Sequence, residues 1–350
     1  MNWKLNLLAA ATAALCATAP ARAGIQFNLI ADEGTPQFAV DGFNAAANLW
    51  SSFFADNITV NIRIGYVSLG GGVLGTASAE FIEPSYTAVV AALNGTATSP
   101  DDFSAYAALQ PVPGYSRLIN HTSDNPNGPN SATPYVDTMD RVGLTRANAR
   151  ALGLHAAHDG EIDGQIRFNS DFSFDFDPSD GITPGLYDFV GVAAHEIGHT
   201  LGFVSGVDDI DQLQGLYPGS AFSDNLIDLF RYSQLSLEYG EGFTDYTADN
   251  REKYFSVDGG ITPIALFSNG AIYGDGRQAS HWKDNLGIGI MDPTVAAGEQ
   301  LFITPTDLRM FDVLGFTLAS VIPEPSGVAL LSLGMFVLFR RSLLRHSPAP

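Results

Sequence analysis

One run, His195-Glu196-Ile197-Gly198-His199-Thr200-Leu201-Gly202, constrains this chain more than any other stretch. Two His four residues apart lie on one face of an α-helix, one turn from each other, and the Glu after the first projects beside them. A single turn then offers two imidazole nitrogens to one zinc ion and a carboxylate to the water that ion carries. Only 7 His occur in 350 residues, so composition does not account for the pattern. On a helical wheel Val190, Ala193, Ala194, Ile197 and Leu201 form an apolar face nearly opposed to His195 and His199. The helix is expected to start at Thr183-Pro184, with Thr as N-cap and Pro at the first position, and to stop at Gly202. Gly191 and Gly198 inside it each cost about 1 kcal/mol relative to Ala, which predicts that something packs against the backbone there.

A hydrolytic zinc site takes three protein ligands and leaves a fourth position to water. The run from His195 to Gly202 resembles the start of the metzincin signature H-E-x-x-H-x-x-G-x-x-H, but Ser205 stands at the last place. In leishmanolysin-like metzincins the third His arrives much later, in a Ser-His-Trp context followed by a Met-turn. This chain has Ser280-His281-Trp282 and then Gly289-Ile290-Met291-Asp292-Pro293. The resemblance implies His281 as third ligand, Met291 as the turn beneath the metal and Glu196 as general base. Asp208 and Asp209, oxygen donors just after the helix, are the rival third ligands. The resemblance also implies an α+β, zincin/metzincin-like fold. An N-terminal mixed twisted sheet with the active-site helix would occupy 24–203, and a smaller irregular C-terminal subdomain, with the third ligand and Met-turn, 204–322.

Both ends read as labels. Residues 1–23 carry Lys4, an apolar run and an Ala21-Arg22-Ala23 end, the pattern of a secretory signal peptide cut before Gly24. Cys16, the only Cys, lies within it, so the exported chain is expected to have neither disulfide nor thiol switch. Residues 323–350 hold Pro323-Glu324-Pro325, a short apolar run and Arg340-Arg341, which resembles the bacterial PEP-CTERM sorting signal. That resemblance implies an exosortase-type sorting machinery as partner, transient membrane anchoring and a destination in the cell envelope or outside it. An ordinary C-terminal anchor is the competing reading. With Lys4, Arg22, Arg340, Arg341, Arg345 and Glu324 set aside, 12 basic groups face 37 acidic ones. Such a surface repels nucleic acid and anionic lipid.

The rest of the pattern is strand, helix and strand at 25–31, 38–54 and 58–67, then strands at 73–81 and 164–170. The polar stretch 94–135 reads as a surface excursion over a short helix at 101–109, with His121 solvated. His155 and His158 read as surface residues rather than a second metal pair. Asp175, Asp177 and Asp180 before Gly181 approximate a calcium loop, although the spacing misses the EF-hand pattern. A turn feeding the zinc helix is the competing reading. Further on, 226–232 reads as an amphipathic helix, 254–257 with 264–267 as a hairpin, and 304–314 as a closing helix stopped by Gly315.

The expected activity is hydrolysis of a protein or peptide substrate by a monomeric, zinc-dependent endopeptidase, with Tyr254 or Tyr273 as candidate oxyanion donors. Two alternatives stand beside it: a non-catalytic exported matrix or adhesion protein retaining a zinc fold, and a zinc hydrolase for a non-peptide amide.

Overall fold

The computed structural model describes residues 24–319. The signal-peptide reading at 1–23 and the sorting-tail reading at 323–350 lie outside the described residues. Among those residues the chain is mixed α+β, and no helix is long and apolar enough to cross a membrane.

The principal sheet has four strands, in the spatial order Gln26–Ala31, Thr59–Val67, Gly164–Asn169, Gly75–Ala79. The first three run parallel and the last is antiparallel at the edge. One face of the central strand, Val60, Ile62 and Ile64, is apolar and buried, while on the other Arg63 reaches solvent and pairs with Asp32 at 2.8 Å. Parallel neighbours need a crossover, and the helix Gln37–Phe53 supplies it. Its buried stripe, Ala39, Phe43, Ala46, Ala47 and Trp50, follows the helical period.

That stripe packs against the helix Phe189–Leu201, which carries His195 and His199. Gly42 allows the approach, since a Cβ there would lie 2.5 Å from the Phe189 ring. Trp50 Nε1 donates to the Ala194 carbonyl at 2.8 Å, which ties the two helices by a buried bond. The main core includes Phe203 and extends past it to Phe255, Trp282, Met291 and Phe311. A smaller one gathers around Ile119, Val207, Ile210 and Tyr246.

Several expectations are corrected. The ligand helix does not start at Thr183-Pro184: it starts at Phe189, with the Asp188 side chain accepting from Gly191 N–H at 2.8 Å. Gly185 has φ 89° and Tyr187–Asp188 pairs with Phe174–Asp175, so the backbone before Phe189 is occupied otherwise. The expected helix at 226–232 is a 3₁₀ turn, Leu226–Phe230, running into the short strand Arg231–Tyr232. The polar excursion holds a strand pair, Tyr115–Ile119 with Tyr135–Met139, and helix Tyr86–Thr96 precedes it. His121 is buried, not solvated, and stacks on Tyr273 with ring centroids 3.6 Å apart. Asn120, Thr122 and Asn125 are buried as well, and Asn125 Nδ2 donates to the carbonyls of Ser131 and Thr133 at 3.1 and 3.0 Å. Polar side chains can line an interior when each finds a partner, and composition does not report partners.

Candidate metal centre

Helix Phe189–Leu201 positions two of the three imidazoles. It ends at Gly202, where φ 128° is a conformation that favours glycine. His195 and His199 sit one turn apart, their Nε2 atoms 3.1 Å from each other. His281 arrives on the loop after Ser280, its ring centroid 5.2 Å from that of His195 and 4.9 Å from that of His199. One ligand atom from each of the three lies within 4.8 Å of the others. Among the described residues this group could hold a metal ion.

Each ring is oriented from behind by a carbonyl. His195 Nδ1 donates to Ile290 O at 2.7 Å, His199 Nδ1 to Phe203 O at 2.7 Å, and His281 Nδ1 to Gln278 O at 3.2 Å. A carbonyl can only accept, so each Nδ1 carries the proton and each Nε2 presents a lone pair. Burial lowers the pKa of all three, that of His199 to about 3 with help from His195. The rings are therefore neutral at neutral pH. Two neutral nitrogens facing lone pair to lone pair at 3.1 Å repel unless a cation lies between them. The donor set fits a metal on that ground.

Glu196 lies beside the imidazoles and is 8% exposed. Burial alone pushes it up to about 8, and a cation alongside would pull it back down. Its Oε1 is 3.3 Å from where a Cβ on Gly75 would stand, which places the carboxylate against the edge strand. That strand, the three His and Glu196 line one cleft of about 780 Å³, together with Tyr187, Val192 and the segment Asp292 to Val295. Residues on both sides of position 203 contribute to it.

Both helix glycines have the close neighbours their cost predicts. A Cβ on Gly198 would lie 2.5 Å from Met291 Sδ, so the buried thioether packs on the helix backbone at Gly198. At Gly191 a Cβ would overlap Asp188 and stand 2.8 Å from Leu301 Cβ.

The rival ligands are not brought to the three His as a fourth member of the cluster. Asp208 instead accepts from Ala279 N–H at 2.6 Å, Ser280 N–H at 3.1 Å and the Ser280 hydroxyl at 2.5 Å. It holds the loop that carries His281. Asp209 is exposed. Asp175, Asp177 and Asp180 do not converge as a metal-holding group. Asp175 accepts from the N–H groups of Asp177 (3.0 Å) and Thr183 (2.8 Å), and Asp177 accepts from Ser179 N–H at 3.1 Å, so two of the carboxylates cap turns. This matches the turn reading.

His155 and His158 are not brought together. His158 Nδ1 meets Thr59 Oγ1 at 2.8 Å, whereas His155 clusters with Asp159 and Glu161. Arg150 pairs with Asp159 at 2.5 Å and Arg146 with Glu161 at 3.4 Å, so both carboxylates of that group already face a guanidinium. Neither candidate oxyanion donor lines the cleft. The Tyr254 hydroxyl donates to Gly260 O at 2.8 Å, and that of Tyr273 meets Asn130 at 3.3 Å. Tyr187 and Arg277, which the sequence reading passed over, do line it. Tyr187 had a signal: it immediately precedes Asp188, an N-cap residue type. No family model, curated protein or solved structure matches the chain.

Proposed function

We propose that this chain is an exported zinc endopeptidase of the metzincin type, leishmanolysin-like in its distant third His. The observation that carries the reading is the set of three inward-facing Nε2 atoms with Glu196 buried beside them at one cleft. His195, His199 and His281 would hold the metal. Zinc suits three imidazoles, and such a site keeps one position open. When bound, zinc supplies Lewis acidity to a carbonyl and makes water a nucleophile near neutral pH.

The remaining chemistry belongs to the chain. Glu196 accepts the proton of the attacking water and hands it to the leaving amine. Its desolvated setting keeps that proton transfer away from bulk solvent, and its carboxylate would be ionised at neutral pH with a cation held by the three His. Strand Gly75–Ala79 is paired on one side with Gly164–Asn169 and lines the cleft from the sheet edge. An extended substrate would add to it as a further strand, its peptide carbonyl held over Glu196.

The test is zinc stoichiometry together with cleavage of casein or a peptide library. Glu196→Gln is expected to retain one zinc per chain and to lose at least ~100-fold in turnover. Cleavage that survived this substitution would reject Glu196 as the base. A zinc-loaded chain that left every peptide intact would reject the endopeptidase.

A further inference from the structure

The peptide unit of Ile290 connects the metal face to a buried carboxylate on the last helix. Its carbonyl accepts from His195 Nδ1 at 2.7 Å, and its N–H donates to Asp307 Oδ2 at 2.9 Å. Trp282, the chain neighbour of His281, donates from Nε1 to Asp307 Oδ1 at 2.8 Å. Trp282 N–H in turn donates to Met291 O at 2.9 Å, so the two distant segments are also joined to each other. Asp307 is fully buried in helix Pro305–Val313, and its Oδ2 further accepts from Thr304 N–H at 2.7 Å and the Thr304 hydroxyl at 3.0 Å. Gly289 leaves the room: a Cβ there would overlap the carboxylate.

We propose that Asp307 is a positioning residue for the metal centre, holding the His281 segment and the turn that orients His195 in one register. The proposal rests on the zinc reading above. A capping carboxylate at the N3 position of a helix ordinarily reaches back to the N-cap N–H and no farther. This one also anchors two segments that precede the helix, each one step removed from an imidazole. The N–H groups of Trp282, Ile290 and Thr304 around it can only donate, so both oxygens must accept. An amide of the same shape puts its NH₂ against a donor in either orientation, and one of the two anchors is released. With the Ile290 peptide free to rotate, the carbonyl that fixes the His195 tautomer is no longer held.

The experiment measures zinc affinity by chelator competition, and the d–d absorption of the cobalt-substituted protein, for wild type, Asp307→Asn and Trp282→Phe. Leu93→Ala serves as a destabilised control, since Leu93 is fully buried in helix Tyr86–Thr96 and does not line the cleft. Asp307→Asn is expected to bind zinc ~10- to 100-fold more weakly, as loss of an outer hydrogen-bond partner does elsewhere, with an altered cobalt spectrum. Leu93→Ala should lose stability and keep the wild-type affinity and spectrum. Trp282→Phe removes one N–H from the carboxylate and should shift both readouts in the same direction; it decides the matter if Asp307→Asn does not fold. Wild-type affinity and spectrum in the variants, or equal weakening in Leu93→Ala, would overturn the positioning role while leaving zinc binding intact. Wild type that takes up no zinc would instead remove the reading beneath it.

Discussion

Gly198→Ala sets two opposed effects against each other at the centre of the molecule. Replacing a helix-interior Gly by Ala normally stabilises by about 1 kcal/mol through propensity. Here the new Cβ would lie 2.5 Å from Met291 Sδ, 3.3 Å from its Cε and 3.5 Å from Trp50 Cζ2. The thioether cannot retreat easily, because Met291 and Trp50 are both fully buried and Trp50 is bonded to the same helix at 2.8 Å. Overpacking of this kind costs about 1–3 kcal/mol, so a net loss of up to about 2 kcal/mol is expected. Urea or thermal unfolding measures it, at about 2–4 °C for each kcal/mol in a large domain. Displacing Met291 also moves the Ile290 carbonyl that orients His195, so zinc affinity should fall with stability. Shortening the partner gives a second arm. Met291→Ala alone should cost about 2–5 kcal/mol, and the double variant should cost less than the two singles together, because the added methyl fills part of the cavity. A Gly198→Ala protein more stable than wild type, with unchanged zinc affinity, would refute the packing argument.

The other expectations are more direct. His281→Ala should abolish tight zinc binding while Asp209→Asn leaves it unchanged, measured by metal content after dialysis; the reverse pattern would make Asp209 the third ligand. Asp312 is 3% exposed, its Oδ1 has no hydrogen-bond partner, and burial, reinforced by Asp102 and Asp101, pushes its carboxyl up to about 7. The folded state then holds a proton that the unfolded chain releases near 4, so this group's contribution falls as pH rises between about 4 and 7 and stays low above that. Asp312→Asn should therefore stabilise at pH 8, by up to about 4 kcal/mol, and do little at pH 4. Equal melting temperatures of variant and wild type at pH 8 would contradict the sign.

What could be read directly from the chain is local. Two His one helical turn apart, a Glu between them and an opposed apolar face mark the helix, because the helical period and its hydrogen bonds span only a few residues. Alternation at 59–67 and the Thr304-Pro305 start of the closing helix were legible for the same reason: a capping box is complete within four residues. The costs of Gly191 and Gly198 even announced close neighbours, though not which ones. Signals of equal local quality misled where the chain outside the window mattered. Thr183-Pro184 is a good helix start whose backbone is engaged elsewhere, and the polar stretch around Asn120 is buried because Ala248 and Tyr273, from distant segments, join its local partners. The acidic residues show the division best. As letters, Asp175, Asp208 and Asp307 are equivalent candidates for a cation. Only the folded chain decides that the first caps a turn, the second holds the His281 loop and the third fastens two segments to the last helix. A carboxylate's role is set by which donors surround it, and those donors come from residues that meet only after the long-range contacts have formed.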